Sequence, residues 1–200
     1  MKKLIISFIL SVFVLSLSAQ DIKLVAPSKS GGKPLMDVLN IRHSDRSYIK
    51  KELPPQVLSD LLWAAYGFNR EDKRTVASSQ NRQEMDVYVM FSNGVYFYDA
   101  KENALKLKVK GDYRKELGNQ SFVMDAAINI IYVANLDKAS NREAAFIDTG
   151  FICQNVYLYA ASVGLGTVAR ASFNRPGLHE ALQLSDNQEI TLVQPVGYTK

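Results

Sequence analysis

The run Ala144-Ala145-Phe146-Ile147-Asp148-Thr149-Gly150-Phe151-Ile152-Cys153-Gln154-Asn155-Val156-Tyr157-Leu158-Tyr159-Ala160-Ala161 is apolar on nearly every side of a helical wheel. A surface helix carries one apolar stripe, so a helix apolar almost all round is buried on most sides. The helix predicted here spans residues 142–163 and ends at Gly164-Leu165-Gly166-Thr167, with Gly164 as its C-terminal cap. Two readings stay open: a central core helix, or a helix shared with a second copy because so small a chain can scarcely cover it. Cys153 reads as a small core residue. The glycines are not a dinucleotide fingerprint, which needs a strand before them, a helix after them and a third glycine.

Working outward, Ile128 to Ala134 is an apolar strand, and residues 111–127 read as largely helical with a break near Gly118. Further upstream, Asp86 to Phe91 and Val95 to Tyr98 flank a turn at Asn93-Gly94, a hairpin signal. Leu105, Leu107 and Val109 alternate with lysines, as in a strand with one wet face. Pro54 and Pro55 open a helix whose apolar positions Val57, Leu58, Leu61, Leu62 and Ala65 lead to Gly67, and Pro34 opens a shorter one ending at Ile41. Residues 69–83 are a polar loop. Downstream come a short helix around Leu178 to Leu182 and a strand from Glu189 to Tyr198. Meandering strands mixed with helices give an α+β class.

Hydrophobic residues make up 47% and charged ones 22% of the 200, which places the chain among single globular domains with a real core. The first twenty residues read separately. Lys2 and Lys3 precede an apolar run from Leu4 to Leu17 that is shorter than a membrane-spanning helix needs and ends in Ser18-Ala19-Gln20. This is a secretory signal cleaved after Ala19 or Gln20. Gln20 stands where a lipidated Cys would be required, so the expectation is an exported, periplasmic protein without a membrane anchor. Residues 21–33 form an arm with little pattern, extended or mobile, and residues 34–200 form the domain. Removing residues 1–20 lowers the formal charge from +4 to +2, too little for a nucleic-acid partner. One cysteine excludes an intrachain disulfide and a Cys-based metal site, and His43 and His179 are too few to suggest zinc.

The chemistry concentrates in Arg42-His43-Ser44-Asp45-Arg46-Ser47-Tyr48. Two guanidinium forks with Ser44 between them can meet a phosphate and the carbonyl edge of a planar ring, since guanidinium donors engage such acceptors two at a time. The plainer reading is that Arg42 and His43 cap the last carbonyls of the helix before them. No Walker motif and no readable Ser-His-Asp arrangement is present.

In this order the motifs resemble the nitroreductase superfamily of FMN-dependent oxidoreductases, and most nearly its branch of thiazole/oxazole dehydrogenases. Arg42-His43-Ser44-Asp45-Arg46 is similar to the family's Arg-x-Ser-x-Arg/Lys flavin motif, Leu61-Leu62-Trp63-Ala64-Ala65-Tyr66-Gly67 to its next helix, and Ser78-Ser79-Gln80-Asn81-Arg82-Gln83 to its Asn-x-Gln loop. Gly94-Val95-Tyr96-Phe97-Tyr98-Asp99 resembles the branch's hairpin, Asp148 to Tyr157 with Gly164-Leu165-Gly166-Thr167 its central helix, and Pro195-Val196-Gly197-Tyr198 its terminal strand. The resemblance covers roughly residues 35–198.

It implies a nitroreductase-like mixed or antiparallel sheet flanked by helices, with a long central helix, in a homodimer that binds FMN between its subunits. Arg42 and Ser44, beside His43, would hold the ribityl phosphate side, and Arg46 the pyrimidine edge. Asn81 would touch the ring with Gln83 near it; Ala171 and Ser172 would pass the ring, and Arg170 and Lys200 would reach phosphate. No side chain acts as a catalytic nucleophile, because the flavin carries the hydride to or from a small conjugated substrate, with the electron donor unnamed. Two departures stand out. Val76-Ala77-Ser78 replaces the usual Ala-Pro-Ser, and Lys138-Ala139-Ser140-Asn141 stands where peptide-oxidising members carry Lys-Tyr. The alternatives are a flavin- or ligand-binding module without turnover and a structural dimer without cofactor.

Overall fold

The computed structural model describes residues 20–200, so all but the last residue of the expected signal segment lies outside the described residues. In chain order the elements are β1 (Ile22–Lys23), α1 (Leu35–Ile41), α2 (Pro55–Tyr66), β2 (Phe68–Arg70), β3 (Lys73–Arg74), β4 (Met85–Phe91), β5 (Gly94–Asp99), β6 (Ala104–Lys110), α3 (Phe122–Asp125), β7 (Ile128–Asn135), α4 (Arg142–Ser162), β8 (Gly166–Thr167), α5 (Arg175–Ala181) and β9 (Gln188–Gly197). Seven strands form one sheet in the order β1-β6-β5-β4-β7-β9-β8, and every neighbouring pair is antiparallel. The class is α+β, with helices on both faces of that sheet.

Strand β7 shows why its sequence is apolar without alternation. Ile128, Ile130, Tyr132 and Ala134 face the core beneath α2 and α4, while Ile131 and Val133 face a second core closed by Leu117, Val123, Leu178 and Leu182. A strand covered on both faces needs no polar side. Helix α4 is the central helix that its composition suggests, yet its burial does not follow hydropathy. Asp148 and Thr149 face inward, whereas Ile147 is 58% and Phe151 44% exposed. Thr149 is satisfied there: its Oγ1 donates to the Ala145 carbonyl at 2.7 Å and lies 2.9 Å from Thr191 Oγ1. Asn141 caps the helix start, accepting from Ala144 N–H at 2.7 Å, and Gly164, at φ +75°, follows its end.

Three sequence expectations are corrected and one open alternative is resolved. Residues 111–127 hold only a 3-10 turn (Arg114–Leu117) and the four-residue α3, because Gly111 and Gly118 take φ of +115° and +100° and break the path twice. The β4–β5 turn lies at Ser92-Asn93. Gly94 instead belongs to β5, where a Cβ would stand 2.9 Å from the Val109 carbonyl oxygen, so the glycine serves close strand approach. Of the two expectations for the arm 21–33, the extended one holds: β1 pairs with β6, Leu24 is buried, and Ser59 Oγ and Gln56 Nε2 donate to the carbonyls of Val25 and Ala26. The loop 69–83 contains the β2–β3 hairpin and a 3-10 turn (Ser79–Asn81).

Candidate functional site

The backbone around Arg42–Tyr48 is pinned to the end of β8 and to the residues that follow β9. Asp45 N–H donates to the Thr167 carbonyl at 3.0 Å, Ile49 N–H to that of Tyr198 at 2.9 Å, and Tyr48 bridges Thr199. The Tyr48 ring is buried and its hydroxyl donates to the Asp45 carbonyl at 2.7 Å. Gly166 is required beneath this segment, since a Cβ there would meet Asp45 and Thr199 side chains at under 3 Å.

On this fixed backbone the side chains divide. His43 does what the plainer reading expects: Nδ1 is 2.8 Å from the Ile41 carbonyl at the end of α1, and Nε2 is 2.9 Å from Asp45 Oδ1. The Ile41 carbonyl, then Asp45, raise its pKa above the usual histidine value. Arg42 turns to Tyr157 of α4, its guanidinium 5.2 Å from the ring centroid. Ser44 Oγ lies 3.0 Å from the Tyr157 hydroxyl, which also accepts the Ala169 N–H at 2.9 Å. Tyr157 thus joins the arginine segment to the strand that leads to Arg170, a role that sequence reasoning left unassigned. Neither Arg42 nor Arg46 has a carboxylate partner among the described residues, and Arg46 is exposed. A half-buried and an exposed guanidinium, both without a carboxylate partner among the described residues and set on a hydrogen-bonded backbone, suit an anion or a polar ring edge.

Asn81 and Gln83 lie elsewhere, beside the N-terminal half of α4. Ser79 N–H donates to Asp148 Oδ2 at 2.8 Å and Ser79 Oγ meets Ser140 Oγ at 2.8 Å. Gln83 is committed within the loop: Oε1 accepts from Arg74 Nε at 2.9 Å, and Nε2 donates to the Asp72 carbonyl at 2.7 Å and to Asn81 Oδ1 at 3.1 Å. Asn81 is the exposed member. Gln80, Asn81 and Gln83 all take left-handed φ, at +52°, +56° and +50°. Non-glycine residues hold that conformation only where surrounding contacts over-determine it. Asp148 and Tyr157 are nine positions apart on α4, so the two groups lie about 13 Å apart along its axis.

Arg170 is 7% exposed and holds carbonyls: Nη2 donates to Leu117 and Ser172 oxygens at 3.1 and 2.8 Å, and the guanidinium lies over the Phe122 ring. Its other terminal nitrogen, Nη1, is buried without a partner among the described residues. Ala171 and Ser172 are exposed beyond it, and Lys200, also exposed, donates its N–H to the Ser47 carbonyl. Burial pushes the Cys153 thiol up to about 12, in keeping with a core residue.

Glu84 and Asp148 were not foreseen as a pair, although Asp148 is the one acid inside the apolar run. Glu84 is 1% exposed, neither of its carboxylate oxygens has a donor, and Asp148 beside it is 3% exposed. Burial, then the neighbouring Asp148 carboxyl, push the Glu84 pKa up to about 7.

The nitroreductase family model matches residues 39–198. A curated relative from Methanocaldococcus jannaschii, carrying the name nitroreductase, is 31% identical over 180 residues, 82% of this chain and 90% of its own. A crystal structure from Ralstonia eutropha JMP134, also described as a nitroreductase, superposes with a TM-score of 0.85 at 35% identity, covering 93% of this chain and 92% of that one. The chain therefore belongs to the nitroreductase family, a family of generally flavin-dependent oxidoreductases. A chain of the Escherichia coli microcin synthetase complex matches with a TM-score of 0.69 at 18% identity, covering 88% of this chain and 77% of that one. That likeness shows the fold alone and does not single out the peptide-oxidising branch.

Proposed function

We propose that this chain is an exported FMN-dependent oxidoreductase that passes a hydride to or from a small conjugated substrate, and that it works as a homodimer. Bound FMN would supply the two-electron hydride chemistry. The observation that carries the reading is the pinned Arg42–Arg46 segment, whose guanidiniums have no carboxylate partner among the described residues while its backbone is hydrogen-bonded in place. Those residues fit a phosphorylated flavin. Arg42, with Ser44 held on Tyr157, offers donors to the ribityl phosphate side, and exposed Arg46 offers a cation to the pyrimidine edge, where reduction places negative charge. Asn81 and Lys200 are exposed and able to meet the same ligand. His43, occupied by Ile41 and Asp45, orients the segment, and Gln83 shapes the loop that presents Asn81.

The dimer is supported by surface chemistry. Ile147 and Phe151 on α4, together with Leu35, Met36, Leu39 and Ile41 on α1, leave exposed apolar side chains on two packed helices. A partner covering them would also bring a second set of loop residues toward each arginine segment, which accounts for the separation of the two groups within one chain.

Visible absorption of the purified protein tests the reading. A flavin spectrum, bleached by an electron donor and restored by an acceptor, is expected. A flavin band that never bleaches would mean a binding module, and a colourless protein that also refuses added FMN would overturn the proposal.

A further inference from the structure

The Glu84–Asp148 pair is the most confined acidic cluster of the described residues, and it touches the loop that carries Asn81 and Gln83. Asp148 Oδ2 is engaged by Ser79 N–H at 2.8 Å, whereas both Glu84 oxygens are buried without a donor. Thr149 and Met85, the next residues on α4 and β4, are in contact, so the two neighbouring carboxyls are buried side by side, and two buried carboxyls cannot both ionise cheaply. Because Asp148 is already an acceptor for the loop, a proton on Glu84 would let it donate to its neighbour.

The surroundings decide what this bond restrains. From α2, Tyr66 faces Glu84, and its hydroxyl is buried without a partner; Arg74 stacks on the Tyr66 ring at 4.1 Å, and Asp86 acts on the same tyrosine. From the loop, Arg82 favours the ionised form by its charge, but its guanidinium donates to Gln80 Oε1 and the Lys138 carbonyl. From β7, Asn135 N–H engages only the Glu84 carbonyl oxygen. No cation is hydrogen-bonded to the Glu84 carboxyl among the described residues. The loop it borders holds three non-glycine residues at left-handed φ, a strained path that needs external fastening.

We infer that Glu84 is a positioning residue: carrying a proton, it donates to Asp148 and keeps Ser78–Gln83 seated on α4, and loss of that proton unseats the loop and weakens flavin binding. This rests on the proposed FMN site for its second half, and on the geometry of the pair for its first.

The test is amide hydrogen exchange of Ser79–Gln83 in the flavin-free full chain, corrected for intrinsic chemistry, from below to above neutral pH. Protection in wild type should fall by up to about tenfold per pH unit as the pH rises toward neutrality, the slope of one linked proton, and level off once Glu84 is ionised in the seated loop as well. Glu84→Gln, whose amide donates to Asp148 at every pH, should hold protection flat. Asp148→Asn should also remove the pH dependence, because its amide can donate to ionised Glu84, and it serves if Glu84→Gln does not fold. FMN affinity should follow the same profile in wild type and lose it in the variants. Wild-type protection that ignores pH, or a variant that keeps the wild-type profile, would overturn the inference. Normal pH-linked protection in a protein that binds no FMN would instead defeat the flavin reading and leave the Glu84 switch standing.

Discussion

Arg42 and Arg46 stand four residues apart on one pinned segment, and the proposed site gives them different tasks. Arg42 leans on Tyr157, so Arg42→Ala should weaken FMN binding by about 1.5–3 kcal/mol, the usual worth of a hydrogen bond to a charged group. The midpoint potential of flavin that still binds should barely move, because phosphate charge is the same in both redox states. Arg46 has no such anchor. If it faces the edge where charge appears on reduction, Arg46→Ala should lower the two-electron midpoint by roughly 30 mV for each 1.4 kcal/mol of differential interaction lost. Arg46→Lys should fall between, keeping the charge without the planar fork. Spectroelectrochemical titration of the three proteins decides this, and equal midpoints would mean that the segment is oriented the other way. Tyr157→Phe removes the acceptor of Ala169 N–H and the partner of Ser44 together. It should cost about 1–3 kcal/mol in urea unfolding and also lower FMN affinity. The arginines were legible in the sequence because charged residues so close together stand out; Tyr157 was not, since its hydroxyl meets partners 113 and 12 residues away.

Among the elements, α4 carries the prediction about assembly. Its outward stripe of Ile147, Gly150 and Phe151 is exposed, and a side chain at Gly150 would meet nothing within 4 Å in one chain. Gly150→Trp should therefore leave the single chain folded but overpack a dimer interface, at a cost of about 1–3 kcal/mol. Sedimentation at low micromolar concentration should show a dimer in wild type and a shift toward monomer in the variant. Unchanged association would place the interface elsewhere. The limits of α4 were readable to within a residue or two from periodicity and Gly164. Which side faced inward was not, because in so uniformly apolar a run the choice falls to what the sheet offers, here Thr191 for Thr149 and the Ser79 amide for Asp148.

For the molecule as a whole, binding of FMN to the folded state alone should raise stability by about 2.7 kcal/mol at a hundredfold excess over Kd. In a chain of this size that is a rise in Tm of about 5–10 °C. The pH dependence of the flavin-free protein follows from Glu84. Its folded pKa, about 7, lies above the ordinary value of 4.5, so between these the folded state binds more protons than the unfolded one. Its contribution to stability is therefore full below about pH 4.5 and lost progressively up to about pH 7, beyond which the loss is constant. Glu84→Gln should flatten that part of a chemical-denaturation series across pH. His43 has the opposite chemistry but the same sign: its raised value adds stability at low pH that is lost as pH rises through it, and its exposure keeps that contribution small.

Local pattern was enough to place α1, α2, β4 to β7, α4 and β9, because each is written by its own hydrophobic period, cap or turn within a few neighbouring residues. Motif order was likewise enough to bring the arginine segment and the Asn81 loop under one family. What local pattern misread, residues 111–127 and the turn before β5, depended on glycines whose role is set by the chain packed against them: Gly94 serves the approach of β6, not the turn. Strand order, the docking of the N-terminal arm on β6, the carbonyls held by Arg170 and the burial of Glu84 against Asp148 were decided only in three dimensions. Each joins residues distant in sequence, Glu84 and Asp148 by 64 positions, and nothing in the spacing of two carboxylates signals that folding will bury them both.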